Sequence, residues 1–398
     1  MVHTAGMQAP AKAVRTNDEG STRRARQRFA VVAMLLLATA CAGGRRRDRP
    51  PRGDRPGPPT RPTDLVSRIT PLKEGGGRLD WVGDKIAFDM QGPSGAFTVY
   101  VMRPDGSDTR CLTCDHPELP RRHVGQPAWH PSGRYLVVQA LKADHARVRF
   151  THALTPGGGV LNDLWVLDTQ TGRASPLRQV PNNPGKGTLH PHFSPDGRML
   201  AWSEMEEAGS LFQKGKHLGY WQLMLGEFRV EGGRPRLDNV RAVTPGGPGI
   251  YENHGFSPDG SRLIFSSNFE ARRRLENHVY VLELQGGKLT RMTTTDWNEH
   301  AHYAPDGRSI VWMSTTGIRG GGADYWIMDA DGTRKRRLTY FNEKGHPHYV
   351  GPRTMVADFA WRPDGRAFAG YTGGQVIRVS ASDPSRIVLV ELSPAALR

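Results

Sequence analysis

The sequence predicts an all-β fold, a six-bladed β-propeller of four-stranded blades, and a repeat is what predicts it. An aromatic residue followed by a proline-centred turn occurs five times, as Trp129-His-Pro-Ser-Gly, Phe193-Ser-Pro-Asp-Gly, Phe256-Ser-Pro-Asp-Gly, Tyr303-Ala-Pro-Asp-Gly and Trp361-Arg-Pro-Asp-Gly. The turn prolines 131, 195, 258, 305 and 363 lie 64, 63, 47 and 58 residues apart, periods that hold one blade and its loops. After every turn comes an apolar, β-prone run of strand length.

Each blade is readable in order. The residues up to the aromatic form a first strand. Proline presets φ in the turn while Asp and Gly accept the remaining angles, so the turn is a tight hairpin. Tyr135-Leu-Val-Val, Met199-Leu-Ala-Trp, Leu263-Ile-Phe, Ile310-Val-Trp and Ala367-Phe-Ala-Gly read as buried second strands. Third strands follow at 163–168, 220–224, 279–283 and 324–329, and short fourth strands end in threonine at 110–113, 241–244 and 337–339. An earlier copy, Leu79-Asp-Trp followed by Val99-Tyr-Val-Met, lacks the Pro-Asp-Gly turn but keeps the strands, which makes six blades. The segment Ile69-Thr-Pro-Leu72 reads as a fourth strand that closes the ring beside Gln375-Val-Ile-Arg-Val379.

Residues 1–63 differ in kind. A basic stretch, Arg23 to Arg28, precedes an apolar run of 12 residues, Phe29 to Ala40. Twelve helical residues span about 18 Å, short of the hydrocarbon core at about 30 Å, so residues 1–40 read as a signal peptide. Residues 41–63 are Pro- and Arg-rich, a semi-extended tether, and residues 64–398 are the propeller. The net charge of +15 concentrates at the front: residues 1–63 hold 13 Lys/Arg against 4 Asp/Glu, or +9. The remaining +6 on the propeller removes the case for nucleic-acid binding. Of the three cysteines, Cys111 and Cys114 form a Cys-Leu-Thr-Cys pair suited to a local disulfide in an exported protein.

The chemistry concentrates at one repeat position. Three residues before the aromatics stand Gln126, His190, Asn253, His300 and Asp358; one residue before stand Ala128, His192, Gly255, His302 and Ala360. Strand alternation puts both positions on one face, and in a propeller the first strand lines the central channel. His190, His192, His300 and His302 are therefore expected at the channel mouth, with His254 joining them if its strand is bulged. Converging neutral imidazoles suit a divalent transition metal, Mn, Zn, Fe or Ni. Glu252, Glu299, Asp296 and Gln126 are candidate oxygen ligands, Asn253 and Asp358 complete a polar ring, and His346 and His348 lie in the loop leading to the last blade. The bland alternative is a ring of hydrogen-bonded channel histidines holding water. Cations on the insertions, among them Lys142, Arg147, Arg149, Lys214, Lys216, Arg272, Arg273, Arg274 and Arg319, form either a collar for an anionic glycan or a solvated surface.

The aromatic-Ser-Pro-Asp-Gly turns, with Met-Asp-Ala-Asp-Gly-Thr at Met328 to Thr333, resemble the TolB-type β-propeller repeat from about residue 67 to the end. That resemblance implies a propeller used as a scaffold, binding module or enzyme. Leu37-Ala-Thr-Ala-Cys41 resembles a bacterial lipobox, which implies a lipid on Cys41; the position three before it is Ala38. The histidine pattern is also similar to oligogalacturonate lyases. The likeness implies His300 and His302 as that family's His-x-His metal pair, with His190 or His254 as the third histidine. Where that family has glutamine, three residues before the pair, this chain has Trp297, and that family has seven blades. Lys186, His217 and Arg319 are the candidate bases for such a lyase. Two function classes follow. One is an exported, lipid-anchored and monomeric binding module, facing a cell-envelope protein or an anionic glycan, its channel mouth lined by histidines. The other is a metal-dependent carbohydrate-active enzyme, a lyase or a hydrolase.

Overall fold

The computed structural model describes residues 65–145, 151–209, 219–273, 275–318, 320–373 and 385–397. The expected signal peptide, Cys41 and the expected tether lie outside them. Among the described residues the chain forms six four-stranded antiparallel sheets, one per blade, and one 3₁₀ turn at Thr151–Leu154. Inner strands are Gly76–Val82, Val124–Trp129, Thr188–Phe193, Tyr251–Phe256, Asn298–Tyr303 and Met355–Trp361, here blades 1 to 6. No described helix is long and apolar enough to cross a membrane.

The turn chemistry explains the blades. Asp196, Asp259, Asp306 and Asp364 each accept, through Oδ1, the backbone N–H two residues on, at 2.9–3.0 Å. The glycines that follow, 197, 260, 307 and 365, take φ between 69° and 73°. Thr113, Thr244, Thr293 and Thr339, just past the fourth strands, accept the third-strand amides of Val99, Leu223, Val279 and Tyr325 at 2.8–3.0 Å. At these four strand ends a threonine therefore satisfies a third-strand amide just beyond the fourth strand. Blades then pack face to face: Trp202 of blade 3 and Trp312 of blade 5 are both fully buried. Truncating either to alanine costs about 3–5 kcal/mol.

Two details differ from the sequence reading. Ring closure does use 66–74, but its partner is Arg386–Leu392, with Ile69 opposite Val390, and not Gln375 to Val379. Residues 374–384 lie outside the described set. In blade 3 the third and fourth strands run Tyr220–Glu231 and Arg234–Ala242, far longer than the expected Tyr220 to Met224 and Arg241 to Thr244. Beyond Glu227 they pair only with each other, as a ribbon held at its root by Phe228 against Phe193, ring centroids 5.0 Å apart.

Candidate metal centre at the channel mouth

Every inner strand carries a β-bulge just before its aromatic, two residues facing one on the second strand. In blades 2, 3 and 5 the first bulged residue is Gln126, His190 or His300, each at φ of 46° to 50°, a left-handed conformation that costs non-glycine residues about 1–3 kcal/mol. In blade 4 the bulge is displaced by one residue: Asn253 pairs with Phe265 and Phe256 with Leu263, leaving His254 and Gly255 unpaired. Gly255 takes φ of 96°. The displacement puts His254, two residues before its aromatic, where His190 and His300 stand in their blades.

A bulge frees a backbone N–H, and the preceding blade caps it. Asp89 Oδ2 accepts from Gln126 N at 2.8 Å, Gln126 Oε1 from His190 N at 3.0 Å, Ser203 Oγ from Asn253 N at 2.9 Å and His254 Nε2 from His300 N at 3.1 Å. Gln126 thus turns its oxygen to the His190 amide and is not among the residues whose ligand atoms converge; its Nε2 is buried without a partner. Asn253 ties strands together, its Nδ2 donating to His190 O at 2.9 Å. Asp296 accepts from Thr316 Oγ1 at 3.0 Å on the exposed surface, and is likewise no part of the ring.

His190, His254 and His300 come together, one ligand atom of each lying within 4.8 Å of the others. Their ring centroids form an equilateral triangle of 5.5 Å sides. Three imidazoles on one ion, with bonds of about 2.1 Å at near-tetrahedral angles, hold their centroids about 5.3 Å apart. All three Nδ1 atoms are buried without a hydrogen bond. The Nε2 atoms face outward partners: Glu252 Oε1 at 2.7 Å from His190, Ser266 Oγ at 2.9 Å from His254 and Glu299 Oε2 at 4.0 Å from His300. Asp358 Oδ1 lies 3.5 Å from Nδ1 of both His190 and His300. Three inner nitrogens without hydrogen bonds leave places for an ion's ligands; His190 has its outer nitrogen at hydrogen-bond distance from a carboxylate, while His254 Nε2 accepts the His300 amide, so the neutral His254 ring carries its proton on Nδ1 and an ion there must displace it.

The electrostatics favour a cation. Burial opposes charge on Asp358, but His300, His190 and Arg78 hold its carboxyl well below the usual carboxylate range. Burial likewise opposes charge on Glu252, and His190 and His300 outweigh it to hold that carboxyl low. Glu299 is pushed up to about 8 by burial and by Glu252 beside it. Burial resists a proton on His300, yet Asp358, Glu252 and Glu299 raise it to about 9. Burial and the neighbouring imidazoles push His254 well below 6.5.

His192 and His302 form a separate pair below the triad, with centroids 5.2 Å apart. Burial, with their histidine neighbours, lowers His192 to about 4 and holds His302 well below 6.5. His346 and His348 stack instead with Tyr340 in the loop before blade 6: the Tyr340–His346 centroids are 4.4 Å apart and the His346–His348 centroids 4.5 Å. Lys142 is not free for a collar, since it is paired with Asp163 at 2.5 Å. Lys186 lies 3.2 Å from Glu206. Arg147, Arg149, Lys214, Lys216, His217, Arg274 and Arg319 lie outside the described residues. Cys111 and Cys114 are joined in a disulfide.

One ring member escaped the sequence reading. Arg78 stands three residues before Trp81 in blade 1, is paired in two places with Asp89 at 2.7 and 2.9 Å, and neighbours Asp358. Blade 1 lacks the Pro-Asp-Gly marker, but counting back from Trp81 finds it.

No family model matches the chain. Among solved structures it is similar to TolB from Acinetobacter baumannii, at 16% identity and a TM-score of 0.49, over 78% of this chain and 64% of that one. It therefore spans less than two thirds of that protein. It is similar too to a putative TolB from Agrobacterium tumefaciens, at 22% identity and a TM-score of 0.44, over 68% of this chain and 75% of that one. An oligogalacturonate lyase in complex with manganese aligns at 12% identity and a TM-score of 0.45, over 84% of this chain and all of its own.

Proposed function

We propose that this is an exported propeller whose channel mouth holds one divalent transition metal ion, Mn, Zn, Fe or Ni, through His190, His254 and His300 with Asp358 as the oxygen ligand. The observation that carries it is the equilateral triangle of imidazoles whose inner nitrogens have no hydrogen bond. Contraction by about 1.4 Å brings ligand atoms within 4.8 Å of one another to the spacing of about 3.4 Å that one ion requires. When bound, the ion would supply a fixed positive charge joining four blades. The triad is 1–5% exposed, which suits a binding or interaction module better than an enzyme that must admit a polymer. In the same reading residues 1–40 direct export, Cys41 carries the lipid, residues 41–63 are the tether, and a monomeric propeller meets a cell-envelope protein or an anionic glycan.

The test is metal content and thermal unfolding of the purified protein after loading and desalting. One ion per chain is expected. At a free concentration of about 100 Kd, binding stabilises the folded state by about 2.7 kcal/mol. His190→Ala/His300→Ala should hold none. Metal-free parent protein, or an unchanged double variant, overturns the reading. A second reading, a metal-dependent carbohydrate lyase or hydrolase, is favoured by Glu299, which burial and Glu252 hold protonated at neutral pH beside the triad as an acid–base group would be. Incubation with oligouronates decides it: β-elimination creates a new reducing end and an unsaturated uronate with new ultraviolet absorbance, hydrolysis creates new reducing ends without that absorbance, and the binding module gives neither.

A further inference from the structure

On the side where the inner strands begin, apolar side chains gather. Leu154 and Leu161 of the blade 2 insertion pack with Leu189, Trp221 and Ile250, and Trp297 bridges from this cluster to the one holding Phe341 and Met355 across the ring. Glu252 and Glu299 stand on this side too, against the triad, and the apolar residues around them give a hydrated ion little else to exchange its waters for.

The opposite side is built differently. One residue before the aromatics, Ala128, Gly255 and Ala360 project almost nothing into the channel, and Asp80 is spent on the amides of Trp81 and Trp129 at 2.8 and 2.6 Å. His192 and His302 are then the nitrogen-bearing side chains at this level, and both are partly exposed where the triad is not. His192 turns Nδ1 toward His190 O at 3.2 Å and Asn253 Nδ2 at 3.3 Å, which leaves Nε2. His302 makes no side-chain hydrogen bond among the described residues, and neither of its nitrogens is buried. Its ring touches Phe359 edge-on at 4.8 Å and lies 6.1 Å from His254 of the triad.

We propose that His192 and His302 form a second, weaker cation position, a two-nitrogen waystation through which a divalent transition metal ion reaches the triad from the side of the Pro-Asp-Gly turns. Two imidazoles with water completing the shell bind less firmly than three with a carboxylate, so an ion caught there moves on. Steps of 5–6 Å from ring to ring, His302 to His192 and His302 to His254, allow a new nitrogen to engage before the old one is lost. The inference rests on the triad holding metal, and its test separates the two.

The experiment is stopped-flow uptake of Co(II) by the metal-free full chain, read by the cobalt absorption bands, beside an equilibrium titration of the same protein. His302→Ala and His192→Gln/His302→Gln should take up Co(II) about tenfold or more slower, and release it correspondingly slower to a chelator, with stoichiometry and Kd unchanged. Trp297→Ala, which opens the other side, should leave the parent rate unchanged. Equal uptake rates in parent and histidine variants overturn the waystation, as does faster uptake in Trp297→Ala. Loss of equilibrium affinity in His302→Ala makes His302 a ligand of the main ion, and overturns it too. A parent that takes up no Co(II) at all overturns the triad reading, and with it this one.

Discussion

The ring of bulged residues divides into two arcs that share a backbone device and differ in what it leaves unsatisfied. Blades 6, 1 and 2 contribute Asp358, Arg78 and Gln126; blades 3, 4 and 5 contribute His190, His254 and His300. In the first arc Arg78 pairs with Asp89, and Asp89 accepts the amide of Gln126, so the partners link around a fully buried carboxylate and leave over only Gln126 Nε2. In the second arc each ring keeps an inner nitrogen with no hydrogen bond. Buried polar groups that satisfy each other hold a fold together; buried polar groups that converge unsatisfied mark a place for something else.

The largest expected effect breaks the first arc. Asp89→Asn keeps the shape but leaves the Arg78 guanidinium buried beside a neutral amide, and removing one partner of a buried ion pair costs about 3–5 kcal/mol. Gly77 and Gly125 pass within 2.6 Å of the Asp89 carboxylate at the point where a Cβ would stand, so neither strand can close in on a replacement. Urea unfolding of the metal-free variant should show this loss, and added metal should leave the difference from the parent as large. A cost below about 1 kcal/mol would mean the arc is not a structural brace.

The two arcs also differ in how far the sequence disclosed them. Pro-Asp-Gly turns and the aromatics before them gave the blades and the position at which side chains enter the channel, because a hairpin turn is local chemistry. His190 and His300 followed from counting. His254 did not follow from strand alternation, which points it away from the channel; its inclusion depends on a one-residue displacement of the bulge that Gly255 permits, and a bulge is a choice made between two strands. Arg78 was hidden by the missing turn of blade 1. The closing partner, Arg386–Leu392, was missed because Gln375 to Val379 is just as β-prone, and only long-range pairing selects between them.

A third environment tests whether an orphaned nitrogen alone signals a ligand. His278 of blade 4 is fully buried with both ring nitrogens unpartnered, yet among the described residues no ligands converge on it. Burial, with Arg291, lowers it to about 4, against the opposing pull of Glu276, Glu270 and Asp296. The unfolded chain takes up this proton near pH 6.5, before the folded one does. The stability it withholds is therefore fully present above pH 6.5 and lost as pH falls toward 4. His278→Leu should lose about 3 kcal/mol less than the parent between pH 7 and pH 4, measured by urea unfolding at each pH. Its metal content should equal the parent's. Lost metal would show that unpaired nitrogens act at a distance from the triad, and would blur the line between the arcs.

The smallest expected effect on stability bears most directly on the second arc. Gly255 holds φ at 96°, a conformation L side chains rarely adopt, and an added Cβ would meet the His192 side chain at 3.4 Å. Alanine there is strained by about 1–3 kcal/mol. The strain has a specific outlet: the bulge can slide back by one residue, to the place it occupies in blades 2, 3 and 5, where Asn253 would take the left-handed conformation that asparagine tolerates better than most residues. That slide returns His254 to the far side of the strand and leaves His190 and His300 as a pair. Gly255→Ala should therefore cost little in unfolding free energy and much in metal affinity, a combination that a merely strained turn does not produce. Isothermal titration with Zn(II) and urea unfolding of the same preparation measure both. A variant that loses stability yet binds Zn(II) as the parent does would show that the triad does not depend on the displaced bulge.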